Sequence, residues 1–269
     1  MLTFRPITAE DFLILRPYYE HCTYRLCEYS VGVKYMWQHS LHSEYTIVED
    51  CLIIRNTIHG NVMYDFPIPG PNGSVEKGLL AVEDHCREIG QRPVFSIVPE
   101  SQGCRMAMRY AKVSITNEWS WRDYIYLSQD LAKFEGRRSS GQRNHIKKFR
   151  AQWPEAALRP LTQQDGPAIE AFWQNFEAEF PKGSNKSAAY ELKVAKDMLK
   201  MRSKPYFIAA GMFDGDKLIA LSLAEKCGEM LIIHIEKALY SYTGVYPTLV
   251  QAFADAFGQD CQWLNREDD

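Results

Sequence analysis

The sequence lacks the motifs that identify several common enzyme classes. Its 269 residues contain no Gly-x-Ser-x-Gly, no Walker phosphate loop, no His-Glu-x-x-His and no Rossmann glycine run. Hydrolase, nucleotidase, metalloprotease and dehydrogenase interpretations therefore have no support. The seven cysteines are scattered and include no Cys-x-x-Cys pair. This pattern predicts reduced thiols and no metal site.

Long hydrophobic runs are also absent. No segment approaches the ~18 uninterrupted apolar residues of a membrane span. Residues 1–11 lack the apolar stretch of a signal peptide. Because 46% of the residues are hydrophobic and 24% are charged, the composition is that of an ordinary globular protein. We therefore expect a cytoplasmic protein that has no transmembrane segment and touches lipid only peripherally.

Net positive charge is absent overall, but cations are concentrated in one segment. The net charge of −3 argues against general nucleic-acid binding. Residues 137–150, in contrast, are rich in cations and contain no acidic residue. They predict a basic helix, with Ile146 and Phe149 packed inward, that contacts tRNA phosphates or anionic lipid headgroups. The alternative is a solvated charged face. The candidate polyanion-binding residues are Arg138, Arg143, Asn144, Lys147 and Lys148.

One sequence motif occurs twice. Residues 5–11 are R-P-I-T-A-E-D and residues 159–165 are R-P-L-T-Q-Q-D. Each copy precedes a similar series of helices, a strand hairpin, another helix and a last strand. Solenoid repeats have periods of ~20–50 residues, far shorter than this one. We therefore predict two tandem α/β lobes with mixed sheets, residues 1–153 and 154–269, with the basic helix at about 137–152 at their junction.

The predicted order of elements resembles that of the GNAT acyltransferase fold. A closer resemblance is carried by four stretches that span most of the chain. They are Cys27-Glu-Tyr-Ser30 with Tyr35-Met-Trp37, Arg143-Asn-His-Ile-Lys-Lys-Phe149, His234-Ile-Glu-Lys237 and Asn265-Arg-Glu-Asp-Asp269. Together they resemble the bacterial family that shares the C-terminal domain of phosphatidylglycerol lysyltransferase, which is related to the Fem-type aminoacyltransferases. Members of that family usually continue past this last stretch with a basic segment.

The resemblance implies two GNAT-like lobes and acyl transfer. Characterised relatives use charged tRNA as the donor of an amino acid. The expected acceptor is an amine or hydroxyl on a lipid, a peptide or a small molecule. Two alternatives remain open at this point. One is an N-acetyltransferase that uses acetyl-CoA. The other is a non-catalytic module that binds tRNA, lipid or a cell-wall precursor.

The segment from His234 to Lys237 is the best candidate for catalysis. Alternate side chains of a strand share a face, so His234 and Glu236 are expected to point together. Glu236 could then remove a proton from an acceptor amine, while His234 shifts the pKa of Glu236 or positions the donor ester. Glu267 is the third candidate. The alternative is a structural charge network between neighbouring strands. The candidate substrate-binding residues are Lys237, Gly244, Tyr246, Asn265, Arg266, Asp268, Glu28 and Trp37.

Gly244 bears on the choice of donor. In acetyltransferases the turn before the corresponding helix is Arg/Gln-x-x-Gly-x-Gly/Ala, and its N–H groups bind a pyrophosphate. Here the turn is Ser241-Tyr-Thr-Gly244-Val-Tyr246. Tyr246 puts bulk where a close phosphate needs a small residue, which disfavours coenzyme A. Alternatively, Gly244 only turns the chain.

Overall fold

The computed structural model describes residues 1–117, 119–179 and 186–267. These residues form two compact units, Met1–Asp123 and Tyr124–Glu267. The division lies before the residue 153 expected from the sequence, because the strand Ile125–Leu127 pairs antiparallel with the last strand of the second unit. No helix in the described part of the chain is long and apolar enough to span a bilayer.

The first unit contains a mixed sheet, and its helices lie between the strands and after the last strand along the chain. The strands run in the order β1-β2-β3-β4-β6, and β5 pairs with β3. β4 and β6 are parallel, whereas the other neighbours are antiparallel. The elements are β1 (Arg5–Pro6), α1 (Phe12–Glu20), α2 (Val31–Met36), α3 (Gln38–Leu41), β2 (Glu44–Val48), β3 (Cys51–Ile58), β4 (Asn61–Asp65), β5 (Ile68–Pro69), α4 (Val75–Glu88), β6 (Phe95–Ser96) and α5 (Gly103–Arg109).

The second unit repeats this topology and also has a six-stranded sheet, with longer central strands. The strands run in the order β7-β12-β11-β10-β9-β8, and only the β11–β12 pair in the described sheet is parallel. The elements are β7 (Ile125–Leu127), α6 (Ser128–Lys133), α7 (Ser140–Gln152), β8 (Ala157–Pro160), α8 (Gly166–Glu179), α9 (Lys186–Leu199), β9 (Phe207–Asp214), β10 (Lys217–Cys227), β11 (Met230–Ala238), α10 (Val245–Phe257) and β12 (Trp263–Asn265). Each unit thus has three antiparallel strands, a helix and a strand parallel to the third. This is the GNAT-like mixed α/β fold expected from the sequence.

The repeated motif forms the same local structure in both units. In the first copy, Oδ2 of Asp11 accepts hydrogen bonds from the N–H (2.9 Å) and hydroxyl (2.8 Å) of Thr8. Its Oδ1 lies 3.0 Å from the Arg5 guanidinium. These contacts cap the helical turn at the start of α1. The second copy reproduces all three contacts, between Arg159, Thr162 and Asp165.

The core of the second unit lies between one face of its sheet and three helices. Leu231 and Ile233 of β11 pack in this cluster with Phe253 of α10, Leu131 of α6 and Ile146 of α7. Burying these side chains removes apolar surface from water, which is the main stabilising contribution to such a layer. The result is a fixed strand, β11, from which the candidate site is built.

Candidate active site

The candidate site begins where the parallel pairing of β11 and β12 stops. The last residue pair of that ladder is Ile232 opposite Asn265, but β11 continues to Ala238. Within the described residues, the β12-facing edge of β11 therefore has no strand partner beyond Ile232. Such an edge offers backbone N–H and C=O groups to a ligand.

On its other edge β11 contains a bulge. Leu223 of β10 lies opposite Ile235, whereas the next residue, Ala224, lies opposite Ile233. His234 is therefore an extra residue on β11. An extra residue of this kind leaves the ladder locally disrupted and redirects the side chains beyond it.

The bulge overturns the expectation that His234 and Glu236 share a face. Glu236 lies opposite Ser222, and Ile233 lies opposite Ala224. Because Ser222 and Ala224 are two residues apart on β10, they share a face, and so do their partners. Glu236 thus points to the face of Ile233. His234 contacts Glu225, which follows Ala224 on β10 and points to the other face, so His234 points away from Glu236. The prediction from regular alternation was wrong because it assumed an unbroken strand.

His234 lies between two carboxylates in a buried position. Its Nδ1 is 2.6 Å from Oε1 of Glu267 and its Nε2 is 3.2 Å from Oε2 of Glu225. The ring also meets Phe207 edge-on. Burial lowers the pKa of His234, but the two carboxylates outweigh that effect and raise the pKa to about 9. At neutral pH the ring is therefore an imidazolium that donates to both acids.

Glu225 is a member of the site that the sequence analysis missed. It is fully buried on β10 and holds His234 from the side opposite to Glu267. The sequence does contain an indication of its role, since Glu225 is the single carboxylate in the otherwise largely apolar strand Lys217–Cys227. A carboxylate in such a strand requires a buried partner.

Glu236 forms an ion pair with Arg266 and keeps one oxygen without a partner. Its Oε2 accepts from Nε (2.9 Å) and Nη2 (2.6 Å) of Arg266. Its buried Oε1 has no hydrogen-bond partner among the residues that the structure describes. Burial raises the pKa of Glu236, and the charges of Arg266 and Lys237 oppose that effect. Tyr126 also contributes to raising the pKa of Arg266. A buried carboxylate oxygen that is held in place and unpartnered can accept a proton.

The residues after β12 form a turn that places the side chains of Arg266 and Glu267 against β11. Oδ1 of the buried Asn265 accepts the Glu267 N–H at 2.7 Å, an Asx-type turn. Glu267 takes a left-handed conformation (φ 58°) and reaches His234, while Arg266 reaches Glu236. Asp268, another residue expected here, lies outside the described residues.

Two further predicted substrate-binding residues lie near the end of β11 and on α10. Lys237 forms an ion pair with Glu191 of α9, so part of its charge is already neutralised. Tyr246, in the first turn of α10, is half-buried, and burial raises its pKa to about 12. Its hydroxyl is therefore neutral at physiological pH.

Gly244 is required by packing. It adopts φ +90° as the N-cap of α10, a conformation that favours glycine. A Cβ there would lie 2.6 Å from the carbonyl oxygen of His145 and 3.2 Å from Cβ of Phe149. α7 thus occupies the space that the absent side chain leaves.

The start of α10 is also a poor anion site. The Val245 N–H bonds to the carbonyl of Tyr242, and Pro247 has no N–H to offer. The hydroxyl and N–H of Ser241 both donate to the carboxylate of Glu179. A carboxylate beside this turn repels a pyrophosphate, so the turn fits coenzyme A poorly.

The basic helix forms as predicted, and Ile146 and Phe149 are buried on α7. The Arg143 guanidinium donates to the carbonyls of Phe134 (2.5 Å) and Gly136 (2.6 Å). Arg143 therefore fastens α7 to the preceding turn. The other candidate polyanion-binding residues are exposed: Arg138, Asn144, Lys147 and Lys148.

The remaining candidates, Glu28 and Trp37, belong to the first unit. Burial raises the pKa of Glu28 to about 7, against the lowering effect of Lys34. Ligand atoms of Cys27, Glu28 and Asp123 lie within 4.8 Å of one another, so these are described residues that could hold a cation. Asp123 already accepts the Cys27 N–H at 2.6 Å.

Residues 21–267 match the family described as phosphatidylglycerol lysyltransferase, C-terminal. The chain belongs to this family. The resemblance identified in the sequence is thereby confirmed, and membership in the family indicates an acyltransferase. Among curated proteins, none matches the sequence.

The solved structures that are similar to this member of the family include two with TM-scores above 0.5. A conserved protein of unknown function from Bacteroides thetaiotaomicron has a TM-score of 0.85 at 21% identity, over 100% of this chain and 91% of its own. The C-terminal domain (DUF2156) of a putative lysylphosphatidylglycerol synthetase from Agrobacterium fabrum has a TM-score of 0.55 at 10% identity, over 88% and 72%. At such identities these similarities concern the fold alone.

Proposed function

We propose that the protein transfers an aminoacyl group from charged tRNA to an amine or hydroxyl acceptor, with Glu236 as the general base. The observation that carries the proposal is the buried Oε1 of Glu236, which has no hydrogen-bond partner among the described residues. The family supports acyl transfer, and the blocked turn at Gly244 favours a donor other than coenzyme A. Such a reaction would take place in the cytoplasm, where charged tRNA is found.

In this mechanism the acceptor attacks the carbonyl carbon of the aminoacyl ester while Oε1 of Glu236 takes the proton of the attacking group. The bond between that carbon and the 3′ oxygen of the tRNA then breaks, and this oxygen takes up the proton. The negative charge that develops on the carbonyl oxygen needs nearby donors. We assign this role to backbone N–H groups on the β12-facing edge of β11, between Ile233 and Glu236.

The other site residues position these groups. Arg266 holds Oε2 of Glu236 in two hydrogen bonds, which leaves Oε1 for the acceptor. The imidazolium of His234 ties Glu225 on β10 to Glu267 after β12. This tie fixes the bulge, so His234 and Glu267 act as positioning residues. The exposed cations of α7 supply a surface for tRNA phosphates.

Replacing Glu236 with glutamine tests the assignment. The variant keeps the shape of the side chain but cannot take a proton, so turnover should fall by about 10²–10⁴-fold. Glu229→Gln, at an exposed position in the turn before β11, is the matched control and should retain full activity. Transfer is measured from labelled aminoacyl-tRNA to a panel of acceptors, and circular dichroism checks the fold. Full activity in Glu236→Gln would remove Glu236 from the mechanism.

Calorimetric titration with coenzyme A and acetyl-CoA separates the two donors. The occupied turn at Ser241 and Gly244 predicts no saturable binding of either compound. Micromolar binding would overturn the tRNA-dependent assignment in favour of a small-molecule N-acyltransferase. If neither donor supports transfer, the protein is a binding module.

A further inference from the structure

The segment after α5 is a long loop whose two ends are fixed. At its start the Arg109 guanidinium donates twice to Glu83, at 2.5 and 2.9 Å, and the Tyr110 hydroxyl donates to the same carboxylate at 2.6 Å. At its end Asp123 accepts the Cys27 N–H. Between these anchors, residues 111–117, 119, 121 and 122 are exposed. Long loops of this kind usually have a function.

This loop carries large apolar side chains into solvent. The exposed fractions are 45% for Val113, 65% for Ile115, 78% for Trp119 and 49% for Trp121, and Met108 at the end of α5 is 87% exposed. Single exposed apolar residues are normal, whereas a concentration of them marks an interaction site. Tryptophan in particular is enriched at the boundary between water and lipid, because its ring is apolar and its N–H is polar.

Cations accompany these apolar side chains. Arg105, Lys112 and Arg122 are exposed, and the Arg122 guanidinium stacks 3.6 Å from the centre of the Trp119 ring. In the sequence from residue 104 to residue 122, Glu118 is the single acidic residue. The cores of protein interfaces are depleted of lysine, whereas an anionic headgroup layer attracts both lysine and arginine.

We propose that Met108, Val113, Ile115, Trp119 and Trp121, flanked by Lys112 and Arg122, form a docking loop for an anionic bilayer surface. The apolar side chains enter the headgroup region, and the cations contact lipid phosphates. Such binding is peripheral and reversible. It concerns a surface of the first unit and does not depend on the donor or on the base assigned above.

Sedimentation of the protein with lipid vesicles tests the proposal. We expect binding to vesicles of phosphatidylcholine with phosphatidylglycerol to exceed binding to phosphatidylcholine alone, and to weaken with salt. The double variant Trp119→Ser/Trp121→Ser should lose at least about tenfold in affinity. Replacing Lys112 and Arg122 with glutamine should cost about fivefold per cation on the anionic vesicles, with little effect on the neutral ones.

Two control variants make the result specific. Leu13→Ser/Ile14→Ser removes exposed apolar side chains from α1 (68% and 45% exposed) and should bind vesicles like the wild type. Glu236→Gln should also bind normally, so a failure of docking is distinguishable from a failure of the proposed reaction. Absence of vesicle binding, or equal losses in the α1 control, would overturn the proposal. So would a wild-type dimer that the tryptophan variant abolishes, because the loop would then join two copies of the chain.

Discussion

The two copies of the repeat share a frame and differ where the third strand meets the parallel strand. In the first copy the last pair of the parallel ladder is Asp65 opposite Ser96. In the second copy it is Ile232 opposite Asn265. β4 ends at Asp65, whereas β11 continues to Ala238. In the first copy the third strand thus ends together with the parallel ladder. In the second copy the third strand continues past the ladder, and this extension carries His234 and Glu236.

The first copy closes this position with internal partners. Asp65 pairs with the buried Lys34 and also accepts hydrogen bonds from Asn56 at 2.7 Å and Ser96 at 3.1 Å. In the second copy, Glu236 has Arg266 on one oxygen and an unpartnered second oxygen within the described residues. We infer that the first copy uses its buried charges for stability and the second uses them for chemistry.

The largest effect expected from this comparison follows Lys34→Met. The substitution leaves the buried carboxylate of Asp65 without its counter-charge, which should cost about 3–5 kcal/mol in the free energy of unfolding. Arg266→Met is the matched change in the second copy. Because Arg266 is a third exposed and burial already raises the pKa of Glu236, the Glu236 carboxyl can take up a proton when Arg266 is lost. This change should therefore cost less stability than Lys34→Met, while aminoacyl transfer should be lost. Urea denaturation and a transfer assay measure the two effects.

A larger stability loss in Arg266→Met than in Lys34→Met would contradict the inference that the first copy uses its charges for stability and the second for chemistry. If Lys34→Met were well tolerated and the refolded protein inactive, the charges of the first copy would belong to the chemistry. Asp65→Asn in the Lys34→Met background is the control, since removing both charges should recover much of the lost stability.

The repeat and the order of its helices and strands could be predicted from the sequence, because they depend on local patterns. The Arg-Pro-x-Thr-x-x-Asp motif fixed the repeat, and apolar periodicity placed α7 with Ile146 and Phe149 inward. The pairing of His234 could not be predicted, because a bulge is decided by the neighbouring strand and leaves no periodic mark. The close packing at Gly244 could not be predicted either, because the His145 carbonyl that leaves no room for a Cβ belongs to another helix. The part that β7 plays in the second sheet likewise depends on β12.

The second prediction concerns pH. The folded-state pKa of His234, about 9, is higher than the ~6.5 of a free histidine. The folded protein therefore binds more protons than the unfolded chain between these values. Stability contributed by His234 is complete below pH ~6.5 and is lost as the pH rises through about 9, by an amount on the order of 3 kcal/mol. Urea midpoints measured across this range should fall, and His234→Gln should flatten that fall.

Glu28 in the first unit supplies the contrasting case. Burial raises the pKa of Glu28 from the usual 4.5 to about 7. The folded protein therefore binds more protons than the unfolded chain in this range, and stability falls as the pH rises from 4.5 to about 7. Glu28→Gln should flatten this acidic segment and leave the alkaline one unchanged. An alkaline segment that persists in His234→Gln would show that the buried imidazolium does not control it.

The smallest effect concerns the repeated motif itself. Asp165→Asn weakens the charge-assisted contacts with Arg159 and Thr162 and should cost about 1–2 kcal/mol. Asp11→Asn should cost slightly more, because Asp11 also accepts a hydrogen bond from the Tyr45 hydroxyl at 2.7 Å. In both copies the arginine lies over an aromatic ring, Arg5 over Tyr45 and Arg159 over Phe213, but Phe213 has no hydroxyl to donate.

Tyr45→Phe turns this small difference into a test of the repeat. In that background Asp11 keeps only the contacts that Asp165 has, so Asp11→Asn should then cost what Asp165→Asn costs in the wild type, within about 0.5 kcal/mol. Urea denaturation of the two single variants, Tyr45→Phe and the double variant gives the comparison. Agreement would mean that one motif contributes the same energy in both units. A persistent difference would mean that the matching geometry hides unequal surroundings, and that the two copies have diverged in energy as well as in chemistry.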